Sequence, residues 1–380
     1  MKKNVLILGM AIIAGTVIFT SCDDDDKTDN GTEVVTNEGT ITEREADYLL
    51  AASEVLRNDC LTLWASWEGG TGEETLMEEI ELEIGTPYAT EYKLAGNAGS
   101  RYLSQIDAVD EMVQGIVGIA DELGHVKMGA ANGGEGASAP EEAESRFSHN
   151  SLTDFYNNMK SIQNAYLGGF DATDRGAGLT VFIAEKDAAL DLEVKEAINA
   201  ALTAIQACPE PFVENLKATE VETAMAKISV VEEIFADDVA TLVSNSDNYD
   251  FTTIIADYVD KTIVPTYKSM FDNSQLLLTA ATAFEAEMSS VKLASVGTAW
   301  EGTRSSWECS ESFLFGPAGD KNLDPLVDSW PVDETQLSNV LNSEQILDAS
   351  FVSEGLGYTT RGFHTVEYLT FRDGTVRDVN

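Results

Sequence analysis

Apolar side chains that recur at three- and four-residue steps run through this chain and constrain its fold more than any other feature. Such stripes, each typical of one face of an amphipathic helix, lie at residues 49–67, 109–123, 190–205, 221–242 and 277–291. Alternating patterns typical of half-buried strands are scarce. Because helices with one apolar face bury it against each other in antiparallel bundles, the sequence predicts an all-α protein built from helical bundles.

The first residues have the pattern of a secretory signal. A lysine pair precedes an apolar segment at 5–19, which is short for a membrane span of about 20 residues. Small residues directly before Cys22 are typical of a lipoprotein signal. We therefore expect residues 1–21 to be removed, Cys22 to carry lipid, and residues 22–42 to form an acidic tether. An uncleaved membrane anchor is the alternative.

Four aspartates follow Cys22 and resemble the acidic export tag of surface lipoproteins in Bacteroidetes-type bacteria. A solvated linker is the simpler reading of such a run. The lipoprotein signal and the uncleaved anchor both predict an exported, tethered protein, and we expect a lipid anchor in the cell envelope, at the outer membrane. Contact with the membrane is then through the anchor alone.

The formal net charge of −43 limits the classes of partner that the chain can bind. Such a field repels nucleic acid and attracts cations, although solubility explains most of the charge. The cysteines other than Cys22 have neither zinc-site spacing nor the pattern of a disulfide framework. Phosphate-binding loops and nucleophile elbows are also absent from the sequence.

Three phrases near the C-terminus carry the most specific signal. They are ESFLFGP at 311–317, SWPVD at 329–333 and GFHTVEYL at 362–369, and the third contains the pattern Gly-x-His-x-x-Glu. In this order, in a helical and acidic chain, the phrases resemble the imelysin-like family. The resemblance implies two similar four-helix bundles facing each other, a link to bacterial iron uptake, and a site at His364 and Glu367. The family has also been classed as peptidases.

The order of these phrases differs from the usual imelysin order, in which the signature lies in the first half and precedes a helix that here stands at the N-terminal end. The simplest explanation is circular permutation, which compact domains tolerate because their termini often lie close together. It predicts a discontinuous bundle from 43–86 plus 245–380 and a second bundle from 87–244. It also predicts that Asn380 lies near Glu43.

The signature residues are the first candidates for a metal site. On a helix, His364 and Glu367 lie on one face and can share a metal ion or a hydrogen bond, and Tyr368 extends that face as a ligand contact. Glu311 is the third metal candidate, and Arg304 recurs at helical spacing from it as a ligand contact. Imidazole, carboxylate and phenolate groups suit iron or zinc better than calcium. The resemblance to the imelysin-like family implies iron, so zinc is the second choice.

Further ligand contacts come from other segments. These candidates are Asp328, Asp121, Glu122, Ser148, Asn150 and Asp154. Asp328 either caps the next helix or faces the site. Asp121 and Glu122 are predicted to end a helix, where the helix dipole disfavours acids unless a cation compensates. The last three precede a helix, so helix capping is their alternative role. His125 and His149 receive no assignment.

Three functions fit these residues. The first is an exported lipoprotein that binds a metal ion or a metal-containing ligand, iron before zinc, between its bundles and passes it to iron-transport components. The second is a zinc metallopeptidase, but neither H-E-x-x-H nor H-x-x-E-H is present, so we expect no enzyme. The third is a metal-free interaction module. For the first, we expect His364→Ala and Glu367→Gln to weaken binding and leave the melting temperature nearly unchanged.

Overall fold

The computed structural model describes residues 39–379, most of which are helical. The α-helices are α1 (Glu43–Glu68), α2 (Glu74–Glu79), α3 (Tyr88–Lys93), α4 (Gln105–Asp121), α5 (Gly129–Asn132), α6 (Ser151–Leu167), α7 (Leu179–Lys186), α8 (Ala188–Gln206), α9 (Thr219–Glu233), α10 (Ala240–Ser244), α11 (Thr252–Asp257), α12 (Val264–Ala286), α13 (Ser290–Glu308), α14 (Pro317–Asp320), α15 (Leu323–Asp328), α16 (Glu334–Leu341), α17 (Ala349–Gly355) and α18 (Gly362–Thr370).

Shorter elements join these helices. The π-helical segments are Glu122–Lys127, Ile234–Val239 and Tyr258–Ile263, and the 3-10 turns are Pro140–Glu142, Phe212–Glu214, Glu311–Phe313 and Tyr358–Thr360. The strands are β1 (Thr40–Ile41), β2 (Phe371–Arg372), β3 (Thr375–Val376) and β4 (Asp378–Val379). The prediction of an all-α fold of helical bundles is confirmed.

Side chains at the helix starts show why helices begin where they do. Thr42 and Glu45 form a capping box at α1, with the Thr42 backbone N–H donating to Glu45 Oε2 at 2.8 Å and the Glu45 N–H to Thr42 Oγ1 at 3.2 Å. Ser104 and Asp107 form the same arrangement at α4. These pairs satisfy backbone donors that the first helical turn leaves free.

Three long helices and the shorter signature helix α18 form the first ring. α1 packs against α12 and α18, and α13 closes the ring by contacting the same two helices. Trp300 on α13 donates from Nε1 to the carbonyl oxygen of Phe363 at 3.0 Å, which fixes α18 against α13. The signature helix is therefore a wall of this bundle.

The second ring consists of α4, α6, α8 and α9, each in contact with two of the others. Tyr166 on α6 donates to Asp191 Oδ1 on α8 at 2.8 Å. The domain boundaries that we drew at 86/87 and 244/245 stay a prediction. α3, which follows the first of these boundaries, packs against α1.

The two rings meet along α13 and the turn that follows it. α13 packs against α6, and the 3-10 turn at Glu311–Phe313 packs against both α4 and α6. The backbone N–H of Ser312 donates to Ser161 Oγ at 3.1 Å. Gly115 on α4 allows the close approach, because a Cβ there would lie 2.2 Å from the Ser312 carbonyl oxygen. This contact brings α13 and the second ring together around buried charges.

The two ends of the described chain lie side by side. β1 pairs with β4 in parallel, with Thr40 opposite Asp378 and Ile41 opposite Val379. Thr40 and Ile41, which we assigned to the tether, are thus part of the fold. Because the strands run in the same direction, the chain leaves Val379 just before the start of α1. Circular permutation requires such a meeting of ends and stays a prediction.

The signal at 1–21, the lipid site at Cys22 and the tether up to residue 38 lie outside the described residues. Within residues 39–379, none of the helices combines the length and the apolar character that crossing a membrane requires.

Candidate functional site

The signature helix α18 places its histidine and glutamate side by side. It begins at Gly362, whose φ of 75° and close approach to the Val327 carbonyl both exclude a side chain. His364 and Glu367 then lie one turn apart, with His364 Nδ1 3.1 Å from Glu367 Oε2. Both side chains are buried. The predicted shared face therefore exists, and it faces the protein interior.

Glu367 connects α18 to the loop before α6. Its Oε1 accepts hydrogen bonds from the backbone N–H of Phe147 at 3.0 Å, the N–H of Ser148 at 2.8 Å and the Ser148 hydroxyl at 2.8 Å. This oxygen is saturated by donors, so Glu367 holds the loop and orients the imidazole of His364.

The other imidazole nitrogen points to two further acids. His364 Nε2 lies 3.1 Å from Asp328 Oδ1 and 3.9 Å from Glu144 Oε1. The approach to Asp328 is poorly aligned, so within residues 39–379 Nε2 has no hydrogen-bond partner. Burial and nearby Arg304 lower the pKa of His364, but ionic contacts with Asp328 and Glu367 outweigh them and raise it to about 9.

Arg304 on α13 is the first buried cation of the site. Its guanidinium contacts Glu144 at 2.7 Å, Asp154 at 3.4 Å and Glu308 at 2.5 Å, and it also pairs with Asp328. Burial alone would raise the pKa of Asp328, but the guanidinium and His364 hold it well below its usual range. Asp328 therefore stays ionised.

Lys127 is the second buried cation. Its Nζ lies 3.1 Å from Glu144 Oε1, 3.5 Å from Glu308 Oε2 and 3.3 Å from Glu311 Oε1. It also lies 5.3 Å from the centroid of the Trp330 ring. Burial raises the pKa of Glu308 and of Glu311 well above the usual carboxyl value, although the ammonium opposes the shift.

Acids outnumber bases in this buried charge cluster. We use that name for the bases Lys127, Arg304 and His364 with the acids Glu144, Asp154, Glu308, Glu311, Asp328 and Glu367. Fully ionised, the cluster carries three more negative than positive charges. Because burying an uncompensated charge costs several kcal/mol, the cluster must bind protons or a further cation.

Two openings reach the cluster, one on each side of Trp330. The larger is a cavity of about 190 Å³ lined by Glu122, Glu311, Leu314, Asp324, Pro325, Asp328, Ser329 and Trp330. The smaller, of about 10 Å³, has His364 and Glu367 in its wall. The larger opening admits solvent to Glu311 and Asp328.

The cluster contains donors that fit a metal ion. Glu144, Asp328 and His364 each offer one ligand atom, and these atoms lie within 4.8 Å of one another. His364 Nε2 and Glu144 Oε2 are buried without a hydrogen-bond partner among the described residues. An imidazole with two carboxylates suits iron or zinc. Arg304 already pairs with the carboxylates of Glu144 and Asp328, so a metal ion would share these two groups with the guanidinium.

The structure brings most of the predicted site residues together. Arg304, Glu311, Asp328, His364 and Glu367 belong to the buried charge cluster, and so does Asp154. Asp328 ends α15 and faces the site, with Oδ2 accepting a hydrogen bond from Trp307 Nε1 at 2.6 Å. Whether each of these residues contacts a ligand stays a prediction.

The capping roles considered for Ser148, Asn150 and Asp154 are wrong. α6 begins without a side-chain cap, because Asn150 has helical backbone angles and its amide donates to Asp154 Oδ1 at 2.7 Å. The Ser148 hydroxyl donates a hydrogen bond to Glu367, and Asp154 is fully buried beside Arg304. All three therefore support the site from the second ring.

The helix predicted to end at Asp121 and Glu122 does not end there. It continues as a π-helix to Lys127, since Gly124 packs closely against Ile228 of α9 instead of terminating the helix. The helix-end argument for a cation therefore fails, although Glu122 does line the larger cavity. Asp121 is exposed and pairs with His125 at 2.8 Å, a contact between residues four apart that the sequence analysis missed.

Tyr368 also lies away from the cluster. Its ring packs edge-on against Phe147, with centroids 5.1 Å apart, and Arg372 lies over its face at 3.9 Å. One residue from Glu367 along α18, it turns toward the loop at 147 and is half-buried. It therefore packs against this loop and reaches neither His364 Nε2 nor the cavity.

Sequence reasoning missed three members of the cluster. Lys127 and Glu144 do not belong to the signature phrases. Glu308 lies just before the first of these phrases and is fully buried. The one available signal was the spacing of Arg304, Glu308 and Glu311, which places all three on one side of α13 and its following turn.

Three similarities identify relatives of the chain. The Imelysin family model (Peptidase M75) matches residues 23–236 and 263–379. A crystal structure of an imelysin peptidase from Bacteroides ovatus is similar with a TM-score of 0.79 and 30% identity, covering 89% of this chain and 97% of that one. Iron-regulated protein A of Synechococcus elongatus is 30% identical over 117 residues, and the match spans 31% of its length. The chain belongs to the imelysin family.

Proposed function

We propose that this imelysin binds a metal ion or a metal-containing ligand, iron first and zinc second, at the buried charge cluster between its two rings, as part of iron uptake. The family, the iron-regulated relative and the residue chemistry all support this. The relative supports only a link to iron, since the match spans 31% of its length.

One observation carries the proposal: the cluster has an excess of buried carboxylates around an imidazole nitrogen that has no hydrogen-bond partner among the described residues. Isolated charges are rarely buried unless they are paired, protonated or bound to a metal. A cation held by these donors would offset the excess charge.

Some of these residues would bind the metal ion directly, and others would position the residues that bind it. His364 would release its proton and then hold the metal through Nε2, together with Glu144 and Asp328. Glu367 would orient the imidazole from its other nitrogen, as acids behind metal-bound histidines do. Glu311 would act from the Lys127 side, where its donor atom lies within 4.8 Å of those of Glu308 and Asp328. A bound metal would supply Lewis acidity, and the chain would supply orientation and burial.

The same residues favour binding over peptide hydrolysis. Zinc peptidases hold their ion with histidines that lie close together, and a glutamate activates a water molecule. Here His364 is the single histidine of the cluster, while His125 is exposed beside Asp121 and His149 packs against Gly374. Glu367, the signature acid, is saturated by hydrogen bonds to the loop before α6. We therefore propose that the protein is not a peptidase.

We also propose that the protein acts from the outer membrane, tethered by lipid on Cys22. The short apolar segment that ends in small residues before this cysteine supports export and anchoring. A tethered, metal-binding imelysin would deliver its ligand to iron-transport components of the envelope. Nucleic acid is not a partner, given the net charge of −43.

Calorimetric titration of residues 23–380 with Fe(II), Fe(III), Zn(II) and Cu(II) tests the metal proposal. We expect one-to-one binding that weakens at least tenfold in His364→Gln and Glu144→Gln. Asp272→Asn is the matched control, because it removes an exposed acid that pairs with Lys268 and lies outside the cluster. Weak binding at several sites, equal in all variants, would instead favour the metal-free interaction module.

Burial of the signature pair changes one expectation from the sequence. His364 and Glu367 each contact buried partners, so removing either leaves a buried charge without its counterpart. Such losses cost about 3–5 kcal/mol. We now expect His364→Ala and Glu367→Gln to lower the melting temperature as well as the affinity, so binding must be measured well below the transition.

A further inference from the structure

The larger cavity beside Trp330 has a composition that the metal proposal does not use. Four carboxylates reach it, from Glu122, Glu311, Asp324 and Asp328, while Trp330 and two other apolar side chains, Leu314 and Pro325, complete its wall. Its volume of about 190 Å³ is several times the roughly 30 Å³ that one liquid water molecule occupies. The cavity therefore has room for a small organic group.

The acids of this cavity lack a matching cation within the described residues. Glu122 and Asp324 make no salt bridge there, and Glu311 is paired only through Oε1 with Lys127. Glu311 is 94% buried, since its exposed fraction is 6%, and no donor among residues 39–379 reaches its other oxygen. Because Glu311 lines the cavity, this oxygen can accept a hydrogen bond from a ligand that enters it.

The pKa values of these acids point the same way. Burial, and then the neighbouring acids Asp328 and Glu122, raise the pKa of Asp324 to about 7. Burial likewise raises the pKa of Glu122, against the opposing effect of Lys127. The raised pKa values mean that the surroundings stabilise the ionised forms of these acids poorly, which a bound cation would reverse.

The placement of the carboxylates argues against one bare ion as the occupant. Within the described part of the chain, Glu122 and Asp324 belong to no group of three donors that converge within 4.8 Å. A single metal ion could not contact them together with Glu311 and Asp328. A ligand that carries several N–H donors on an apolar stem can span such spread acceptors and also cover Trp330.

The protein already contains one ammonium in such surroundings. Lys127 Nζ is held by buried carboxylates, Glu311 among them, and lies 5.3 Å from the centroid of the Trp330 ring. Carboxylates and an indole face together stabilise an alkylammonium by charge and by cation–π attraction. The cavity offers Glu311 and Trp330 again, with two additional acids that have no salt-bridge partner in residues 39–379.

We propose that the cavity lined by Glu122, Glu311, Asp324, Asp328 and Trp330 is a binding site for a small organic cation that carries primary alkylammonium groups. The ammonium groups donate to the carboxylates, and the methylene stem lies along Trp330 and Leu314. The site shares Glu311 and Asp328 with the proposed metal site, but binding of the organic cation does not require a metal ion. A free diamine and a lysine side chain of a partner share this chemistry.

Titration of metal-free residues 23–380 with 1,4-diaminobutane at pH 8, in the presence of a chelator, tests the proposal. We expect one-to-one binding, at least tenfold weaker in Asp324→Asn and in Trp330→Leu, and none with 1,4-butanediol, which has the same stem without charge. Asp121→Asn is the control, because it removes the same charge from an exposed residue outside the cavity. It should bind as the unaltered chain does.

Two outcomes would overturn the proposal: equal loss of affinity in Asp324→Asn and Asp121→Asn, or binding at several sites that salt weakens uniformly. If Trp330→Leu does not fold, Asp324→Asn still decides, because its side chain is partly exposed. A parallel titration with the methylamide of Nα-acetyl-lysine separates the two sources of the ligand. Metal titration of His364→Gln tests the proposed metal binding in a separate experiment. The metal proposal and the organic-cation proposal can therefore be contradicted independently of each other.

Discussion

Lys127 has an unusual position for a lysine, because its whole side chain is buried among acids. Lysine is almost never fully buried unless its charge is paired. Here Glu144, Glu308 and Glu311 surround the ammonium, and these carboxylates raise the pKa of Lys127 despite the opposing effect of burial. The residue therefore stays charged and offsets part of the charge of the acids around it.

Replacing Lys127 by methionine should destabilise the protein by about 3–5 kcal/mol, because the acids then lose their buried counter-charge. Urea denaturation measures the change. The exposed pair of Lys93 with Asp260 provides the control, and Lys93→Met should change stability by less than about 1 kcal/mol. Adding Glu311→Gln to Lys127→Met should restore part of the loss. A double variant no more stable than the single one would contradict this account.

Asp324 should make stability depend on pH in a defined direction. Burial, chiefly, raises the pKa of its carboxyl from 3.8 to about 7. A raised folded pKa adds stability that is complete below pH 3.8 and is lost as pH rises through about 7. Asp324→Asn removes this titration. The melting temperature of the variant should therefore exceed that of the unaltered chain at pH 8 and equal it at pH 4.

Thermal melts of both proteins at the two pH values measure this difference. Asp272→Asn, at an exposed position beside Lys268, should show the same small change at each pH. A melting difference for Asp324→Asn that stays constant between pH 4 and pH 8 would show that the carboxyl titrates normally in the fold.

At the scale of elements, the site depends on contacts between segments that are distant in sequence. α18 supplies His364, α13 supplies Arg304, and the loop before α6 supplies Glu144. These elements meet because the turn at Glu311–Phe313 packs against α4 and α6. The spacing between α4 and this turn therefore sets the geometry of the buried charge cluster.

Gly115→Ala should separate these elements. The added Cβ would lie 2.2 Å from the Ser312 carbonyl oxygen, so we expect a loss of about 1–3 kcal/mol and weaker metal binding. Gly118 on the same helix has nothing within 4 Å of such a Cβ. Gly118→Ala should stabilise by about 0.5–1 kcal/mol through helix propensity. Chemical denaturation compares the two, and equal effects would sink the packing argument.

At the scale of the whole molecule, the meeting of β1 and β4 makes the chain nearly closed. Val379 lies opposite Ile41, just before α1, so a short linker can join the ends without disturbing either ring. Loop closure over so short a connection costs little. The predicted circular permutation would make the usual imelysin order and the order in this chain two openings of one closed path.

A rearranged chain tests this relation. It would begin at Asn248 in the exposed turn after α10, run to Val379, continue through a short Gly-Ser linker into Thr40, and end at Asp247. We expect the same helical circular dichroism and a cooperative melt within a few kcal/mol of the original stability. Opening the same linked chain inside α12, between Gln275 and Leu276, should abolish folding. A rearranged chain that aggregates would count against the closed path.

The sequence alone determined the helices, because their apolar stripes and capping residues are local. Thr42 with Glu45 sets the start of α1 through hydrogen bonds between residues three apart in the sequence. The signature also placed His364 and Glu367 on one helical face, since a spacing of three residues does so in any α-helix. Family and fold class followed from these local patterns.

Only the tertiary structure decided which charges meet. Glu144 lies 160 residues before Arg304, and Lys127 lies 184 residues before Glu311, so no local rule pairs them. The same applies to Glu367, whose partners Phe147 and Ser148 come from the second ring. Helix periodicity predicts which face of a helix is apolar. Whether a charged side chain is buried depends on the element that packs against that side chain. The two rings are therefore determined locally, and the buried charge cluster is a product of their contact.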